Sequence, residues 1–200
     1  GPLLVLAGAG SGKTTVLNVL RELGGAVADC DGVYHELLST SVPLREELAA
    51  RFGPGIFDEN GDLRRKELGA IVFSDPDALA DLNAITHRHI VSELERRIAQ
   101  AEGEGRPAIA LDAVALLESG AGTLCGTTIA VTAPEEVRVG RIMAREGIGE
   151  DYARARVRAQ KPSAWFEGRC AHTLRNDGKK ASLEEQARVL FKSFLCKEDL

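Results

Sequence analysis

The sequence has few of the features that mark membrane, secreted or nucleic-acid-binding proteins. No apolar run approaches the roughly 20 residues that a membrane-spanning helix requires. Only four cysteines occur, far apart and without a CxxC pair, so we expect reduced thiols rather than a disulfide framework or a zinc site. The formal net charge of -5 argues against a general attraction to nucleic acid or to anionic membranes. Any positive charge that binds phosphate must therefore be local.

The first apolar run, Leu3 to Ala7, is too short for the apolar region of a secretory signal peptide, and no basic residue precedes it. Together with the cysteine pattern, this predicts a cytoplasmic location. Hydrophobic residues make up 44% of the chain, which is ordinary for a globular fold and sufficient for a core. The length of 200 residues predicts one domain, or one domain with an inserted lobe.

A glycine-rich segment, Ala-Gly-Ala-Gly-Ser-Gly-Lys-Thr at 7–14, follows this run. It has the Walker A spacing of phosphate-binding loops, with alanine where the strict pattern begins with glycine. Its glycines are expected to allow positive φ and to turn backbone N–H groups toward the phosphates of ATP. Lys13 is expected to reach the β- and γ-phosphates and the Thr14 hydroxyl to bind Mg²⁺. The predicted ATP-binding residues here are Gly8, Ala9, Gly10, Ser11, Gly12, Lys13, Thr14 and Thr15.

Short apolar runs alternate with helical patterns along much of the chain. Such alternation predicts an α/β fold with a mostly parallel sheet, which we expect to have five strands flanked by helices. From about 33 to 100 the pattern is mostly helical and lacks a clear strand. We therefore expect a nucleotide-binding core of 1–32 and 107–200, with a helical lobe at 33–106 inserted between the second and third strands. The predicted strands are Leu3–Ala7, Ala26–Asp29, Ala108–Leu111, Thr127–Thr132 and Thr173–Leu174.

Two acids, Asp29 and Asp31, follow the second predicted strand and are separated only by Cys30. In extended backbone, residues two apart face the same side, so both carboxylates would point into the site. A carboxylate beside an acceptor hydroxyl can orient it and take its proton. The alternative is a loop of solvated acids in which Asp31 caps a helix that starts at Gly32.

Three arginines, Arg138, Arg141 and Arg145, have helical spacing after Pro134 and share one face. Such a row could stabilise the oxygens of a transferring phosphoryl group. The alternative is a solvated basic face that pairs with neighbouring glutamates, and for Arg138 we favour it. Asp112 ends the third predicted strand, where it could order Mg²⁺ or merely cap the following loop.

These motifs, taken in order, resemble the dephospho-CoA kinase family. The resemblance begins with Gly-Ser-Gly-Lys-Thr-Thr and Asp-Cys-Asp and extends over about 3–195. Arg141 and Arg145 match two arginines of the family. Gln160 matches a glutamine of the family's lid, and Asn176 matches the asparagine that follows the family's last strand. The other similar segments are Tyr34–Leu38, Arg51–Gly53, Asn60–Arg65, Val72–Pro76, Thr86–Ile90 and Asp112–Ser119.

The resemblance implies an ATP- and Mg²⁺-dependent kinase that phosphorylates the 3'-hydroxyl of dephospho-CoA, giving coenzyme A and ADP. It implies that Asp31 is the general base, that the helical lobe holds the acceptor, and that 141–165 form a lid. No nucleic acid or membrane partner is expected. The implied catalytic residues are Asp31, Lys13, Arg141 and Arg145, and Asn176 is added to the ATP-binding residues. The implied acceptor-binding residues are Asp29, Asp31, His87 and Leu116. The implied metal-binding residues are Thr14 and Asp112.

The sequence departs from the family pattern at several positions. Arg88 and Ala115 stand where the family usually has proline, His172 and Arg175 where it often has acids, and Cys30 where alanine is usual. Two alternatives therefore remain open. One is a kinase of another nucleotide or small alcohol on the same fold. The other is a nucleotide-binding relative that has lost turnover.

Overall fold

The computed structural model describes residues 2–112 and 124–195 and contains one five-stranded sheet. Its strands are β1 (Leu3–Ala7), β2 (Ala26–Asp29), β3 (Ile109–Asp112), β4 (Thr127–Thr132) and β5 (His172–Arg175). They lie in the order β2-β3-β1-β4-β5, and β1 runs parallel to both β3 and β4, as β4 does to β5. The predicted α/β fold with a mostly parallel sheet is confirmed, and the predicted strand bounds differ by no more than one residue.

In the described part of the chain, one helix follows β1, four lie between β2 and β3, three lie between β4 and β5, and one follows β5. None of them is both long enough and apolar enough to cross a bilayer. The helices are α1 (Lys13–Glu22), α2 (Cys30–Thr40), α3 (Val42–Phe52), a 3-10 turn (Pro54–Ile56), α4 (Arg65–Val72), α5 (Pro76–Gly103), α6 (Glu135–Glu146), α7 (Glu150–Arg158), α8 (Ser163–Glu167) and α9 (Lys180–Leu195).

The central strand β1 is buried along its whole length, which is why its sequence is a continuous apolar run rather than an alternating one. Its register places Leu3 beside Ala110 on one side and Thr127 on the other. One core cluster joins this strand to buried residues of α1 and α9, among them Leu20 and the fully buried Phe191. Burying each such large side chain contributes about 1.5–3 kcal/mol.

The chain divides into two compact units. One comprises Gly1–Ala28 and Ile98–Leu200 and contains most of the sheet; the other comprises Asp29–Arg97. The second unit has a core of its own, in which Leu44, Leu48 and Ile56 are almost completely buried. That it receives the acceptor substrate stays a prediction.

The sequence predicts a helix capped at Asp75-Pro76 and a turn at Asn60-Gly61, and both predictions are correct. Asp75 Oδ1 accepts the N–H groups of Asp77 and Ala78 at 2.9 and 3.2 Å, and Pro76 begins α5 as expected. The turn at Asn60-Gly61 is also present, with Gly61 at a φ of 82°. Local chemistry therefore determines these two boundaries.

The sequence also predicts that Pro43 begins a helix and that Ser182, with Glu185 in capping-box spacing, caps the last one; both predictions are wrong. Pro43 is the second residue of α3 rather than its first, because Ser41 provides the cap, with its Oγ accepting the N–H of Leu44 at 3.3 Å. Ser182 was expected to cap the last helix but lies inside α9, which begins at Lys180. Gly178, at a φ of 117°, turns the chain before that helix begins, so it starts earlier than the capping pattern indicates.

Candidate active site

The glycine-rich loop joins the carboxyl end of the central strand β1 to the N-terminus of α1. Gly12 is the N-cap of α1 at a φ of 106° and a ψ of 17°, and Gly10 has a φ of 78°. No acidic residue occupies the first turn of α1, so the positive end of its dipole is available to an anion. Backbone N–H groups at such a helix start form a ready site for phosphate.

Glycine at position 8 gives room to neighbouring side chains rather than a positive φ. Positive φ is confirmed at Gly10 and Gly12 but is wrong for Gly8, which lies outside the left-handed region. Instead, a Cβ on Gly8 would collide with the guanidinium of Arg138 and would stand 2.8 Å from Gln160 Oε1. A larger residue there would therefore have to displace the end of one or both side chains.

The carbonyl groups of three consecutive loop residues each accept a hydrogen bond from a side chain that lies far along the chain. The pairs are Arg138 Nε to Ala9 O at 3.0 Å, Arg141 Nη1 to Gly10 O at 3.1 Å, and Asn176 Nδ2 to Ser11 O at 2.7 Å. In addition, Ala9 N–H donates to Gln160 Oε1 at 2.8 Å. The loop is therefore held by α6 and by the segments that follow α7 and β5.

Arg138 is not part of a solvated basic face, so that expectation was wrong. Only 5% of the residue is exposed, and its guanidinium donates to the loop and to Gln160. Burial lowers the pKa of Arg138, an effect that Glu135 partly opposes. An arginine side chain stays protonated even so, and it therefore keeps all of its donors.

The other two arginines of the row have different surroundings. Arg141 bridges the loop and the asparagine after the last strand, since its Nη2 donates to Asn176 Oδ1 at 3.0 Å. The side chain of Arg145 is 61% exposed and pairs with Glu146 at 2.6 Å. Helical spacing correctly predicted that the arginines share a face. Of Arg141 and Arg145, however, only Arg141 is held against the loop. Catalytic roles for both stay predictions.

Lys13 forms an ion pair with Asp112, the last residue of β3. Parallel pairing of β3 with β1 explains the contact, because their carboxyl ends meet at the same edge of the sheet. Thr14 follows Lys13 in the chain and is exposed at the start of α1. The predicted proximity of Asp112 to the loop is confirmed, whereas its role with a metal ion stays a prediction.

These groups fit ATP and Mg²⁺. Within 2–112 and 124–195, no cluster of three or more His, Cys, Asp or Glu side chains could hold a metal ion. Mg²⁺ does not need such a cluster, because it commonly binds one or two protein oxygens and completes its shell with phosphates and water. The hydroxyl of Thr14 and the carboxylate of Asp112 would supply such oxygens.

The acid pair does not have the extended geometry that we predicted. α2 begins at Cys30, and Asp29 is its N-cap, with Oδ1 accepting the N–H of Asp31 at 3.1 Å. The alternative in which Asp31 caps the helix is wrong as well. Aspartate is among the best N-cap residues, so the chain turns into the helix directly after β2. Both acids are exposed, and Asp31 lies in the first helical turn.

Comparison with known families decides what kind of site this is. Residues 4–182 match the family model described as Dephospho-CoA kinase. The chain belongs to the dephospho-CoA kinase family. The loop, the arginines of α6 and Asn176 all lie inside the matched range, so the family assignment covers the whole phosphate-binding apparatus.

Two curated relatives bear the name of this family, and a solved structure shares the fold. A dephospho-CoA kinase from Symbiobacterium thermophilum is 40% identical over 150 residues, which cover 75% of this chain but only 63% of that relative. A dephospho-CoA kinase from Carboxydothermus hydrogenoformans is 33% identical over 198 residues, 98% of this chain and 96% of the relative. The crystal structure of TT1252 from Thermus thermophilus superposes with a TM-score of 0.75 at 32% identity, covering 96% of each chain.

Arg88, the one named departure from the family pattern that lies in α5, belongs to a local network. Glu47 forms an ion pair with Arg88 and is 2.8 Å from His89 Nε2. These partners lower the pKa of Glu47, the hydrogen bond from Arg88 contributing most. His87 is half-buried on the same helix, and its predicted role toward the acceptor stays a prediction. Leu116 and Ala115 lie outside the described residues.

We expect all four cysteines to be free thiols in the native protein. Among the described residues, Cys30, Cys125 and Cys170 form no disulfide, and Cys196 lies outside those residues. Burial raises the pKa of the Cys125 thiol to about 11, so it stays protonated and unreactive at neutral pH. Thiol titration of denatured, non-reduced protein should count four groups. A count of two or fewer in fresh protein would contradict the prediction.

Proposed function

We propose that this chain transfers the γ-phosphoryl group of ATP to the 3'-hydroxyl of dephospho-CoA, giving coenzyme A and ADP. The observation that carries the proposal is an intact phosphate loop in a family member, with Lys13 and Thr14 at the start of α1. Loss of either residue would have favoured a relative without turnover. Both are present, together with the candidate base Asp31.

In the proposed reaction the loop and α1 hold the triphosphate. Backbone N–H groups at the helix start face the phosphates, and the Lys13 ammonium neutralises charge on the β- and γ-phosphates. Bound Mg²⁺ would supply positive charge that offsets the negative charge developing during the transfer. Thr14 and Asp112 are the residues that we propose to hold it.

Asp112 has a second role in this proposal, which is to position Lys13. A lysine side chain has four flexible carbon–carbon bonds, and fixing it normally costs conformational entropy. The ion pair with Asp112 holds the ammonium beside the loop in advance. The ammonium has three donors, so it can keep this contact and still donate to phosphate oxygens.

We propose Asp31 as the base that accepts the hydroxyl proton, with Asp29 in support. Asp29 uses one carboxylate oxygen to cap α2 through the N–H of Asp31, and thereby fixes the backbone that carries the base. Arg141 and Arg145 are proposed to stabilise the transferring group, Asn176 to support the nucleotide, and 141–165 to act as the lid. The proposed acceptor residues are Asp29, Asp31, His87 and Leu116.

The proposed partners are small molecules only, ATP and dephospho-CoA. The acidic net charge of -5 supports the absence of a nucleic acid or membrane partner, because both are polyanionic. A cytoplasmic location is part of the same proposal and is supported by the wide spacing of the four cysteines, which form no CxxC pair.

The function is tested by ADP release in a coupled assay with dephospho-CoA and a panel of nucleosides and small alcohols as acceptors. We expect release to depend on dephospho-CoA, with coenzyme A identified by mass, and to be absent with the 3'-deoxy analogue. Preference for another acceptor would favour the alternative kinase. ATP binding without release for any acceptor would favour the relative that has lost turnover.

A further inference from the structure

The three hydrogen bonds to the loop carbonyls have a geometric consequence. In a trans peptide the C=O of one residue and the N–H of the next are parallel but point in opposite directions. Because Ala9 O and Ser11 O are held by Arg138 and Asn176, the N–H groups of Gly10 and Gly12 must point to the other side of the loop. The hydrogen bonds to the carbonyl groups therefore determine the direction of these N–H groups, which are the donors for an anion.

Arg138 has the most extensive part in this arrangement. Its Nε donates to Ala9 O, and its Nη2 donates to Gln160 Oε1, the atom that also accepts Ala9 N–H. Both polar groups of the Ala9 backbone are thus held by one pair of side chains. Only the planar fork of arginine presents two donors in this fixed relation; a lysine ammonium has no such geometry.

The surroundings of Arg138 indicate that the contact is built into the loop. The guanidinium is almost completely buried, and a buried charge is costly unless its donors are satisfied. Gly8 provides the space, since any Cβ there would collide with the same guanidinium. A surface arginine that folded down by chance would not need a glycine opposite it.

We propose that Arg138 is a positioning residue for phosphoryl transfer, acting with Gln160 through the backbone of Ala9 to hold the loop N–H groups toward the nucleotide phosphates. This inference rests on the loop binding phosphate, as the proposed function requires. It does not depend on the identity of the acceptor. Arg138 itself contacts the loop rather than the reacting atoms.

The test is calorimetric binding of inorganic tripolyphosphate with Mg²⁺, which probes the loop without adenine or acceptor. We expect Arg138→Met to weaken binding about 10- to 100-fold, the scale of loss when hydrogen bonds that involve a charged group are removed. Arg106→Met is the matched control, because Arg106 precedes β3 at the end of the sheet away from the loop, its side chain is 48% exposed, and its removal should leave binding unchanged. Binding by folded Arg138→Met within about twofold of the parent would overturn the inference.

Thermal unfolding of each variant shows whether it is folded. If Arg138→Met does not fold, Arg138→Lys takes its place, because it keeps the charge but not the fork. It too should bind tripolyphosphate more weakly, and parental affinity would overturn the inference. Failure of the parent itself to bind tripolyphosphate or ATP would instead count against the proposed function.

A double-mutant cycle with Gln160→Leu provides a readout that a purely structural role would not change. Since Arg138 and Gln160 act on the same backbone unit, their effects on tripolyphosphate affinity should be strongly non-additive. The double variant should bind tripolyphosphate about as weakly as whichever single variant has the lower affinity. Simple addition of the two losses would mean that the side chains act independently, contrary to the proposal.

Discussion

Lys13→Ala is expected to lower phosphoryl transfer by several powers of ten while the protein stays folded. The ammonium is the one cationic side chain of the loop, and charge stabilisation of this kind at a transferring phosphoryl group is worth about 10³- to 10⁵-fold. Steady-state ADP release with dephospho-CoA measures the effect. Turnover within about tenfold of the parent, a difference of about 1.4 kcal/mol in the barrier, would contradict the assignment.

The ion pair with Asp112 determines the controls for this variant. Alanine at position 13 removes one partner of a carboxylate that is only 17% exposed, so some loss of thermal stability is expected. The double variant Lys13→Ala/Asp112→Asn should recover stability yet remain inactive. Lys180→Ala, at a side chain that is 74% exposed, serves as the matched lysine control. Recovery of activity in the double variant would show that the original loss was structural.

Asp31→Asn is expected to lower turnover by about 10²- to 10⁴-fold, the usual contribution of a general base, with little change in ATP affinity. Asparagine keeps the size and polarity of the side chain but cannot accept the proton. The nucleotide is held by the loop, so its ground-state binding should survive. Losing turnover without losing nucleotide affinity indicates that a transition-state interaction has been removed. Calorimetry with ATP beside turnover with dephospho-CoA measures both quantities.

The structure makes Asp29→Asn a well-matched control for this prediction. Asp29 caps α2, and asparagine caps helices about as well as aspartate, so the variant should keep the helix start and lose less turnover. If Asp29→Asn lost most of its turnover while Asp31→Asn kept it, the two proposed roles would be reversed. Loss of ATP binding in Asp31→Asn would make Asp31 a metal-ordering residue, and the base would then lie elsewhere.

Local sequence was sufficient wherever a structural feature depends on neighbours in the chain. The strands could be predicted because a strand buried on both faces needs a continuous apolar run, as in Leu3 to Ala7. The loop could be predicted because positive φ at Gly10 and Gly12 nearly requires glycine. Lys13 followed from its fixed place after that loop.

The acid pair shows where local reasoning was insufficient. Alternation along a strand gave a plausible geometry for Asp29 and Asp31, but it assumed that the strand continues through both. The hydrogen bond from Asp31 N–H to Asp29 ends the strand at its last residue and begins α2. Competition between two local preferences, strand extension and helix capping, is decided by small energies that the pattern does not contain.

The sequence by itself determined the order of strands and helices, the phosphate loop with Lys13 and Thr14, and the common face of the α6 arginines. Only the tertiary structure decided which of those arginines meets the loop. Helical periodicity states that Arg138, Arg141 and Arg145 share a face, but it carries no information about what that face packs against. The pairing of Lys13 with Asp112 and the hold of Arg138 on Ala9 join residues about 100 or more positions apart. Such contacts arise only when parallel strands bring their carboxyl ends to the same edge of one sheet.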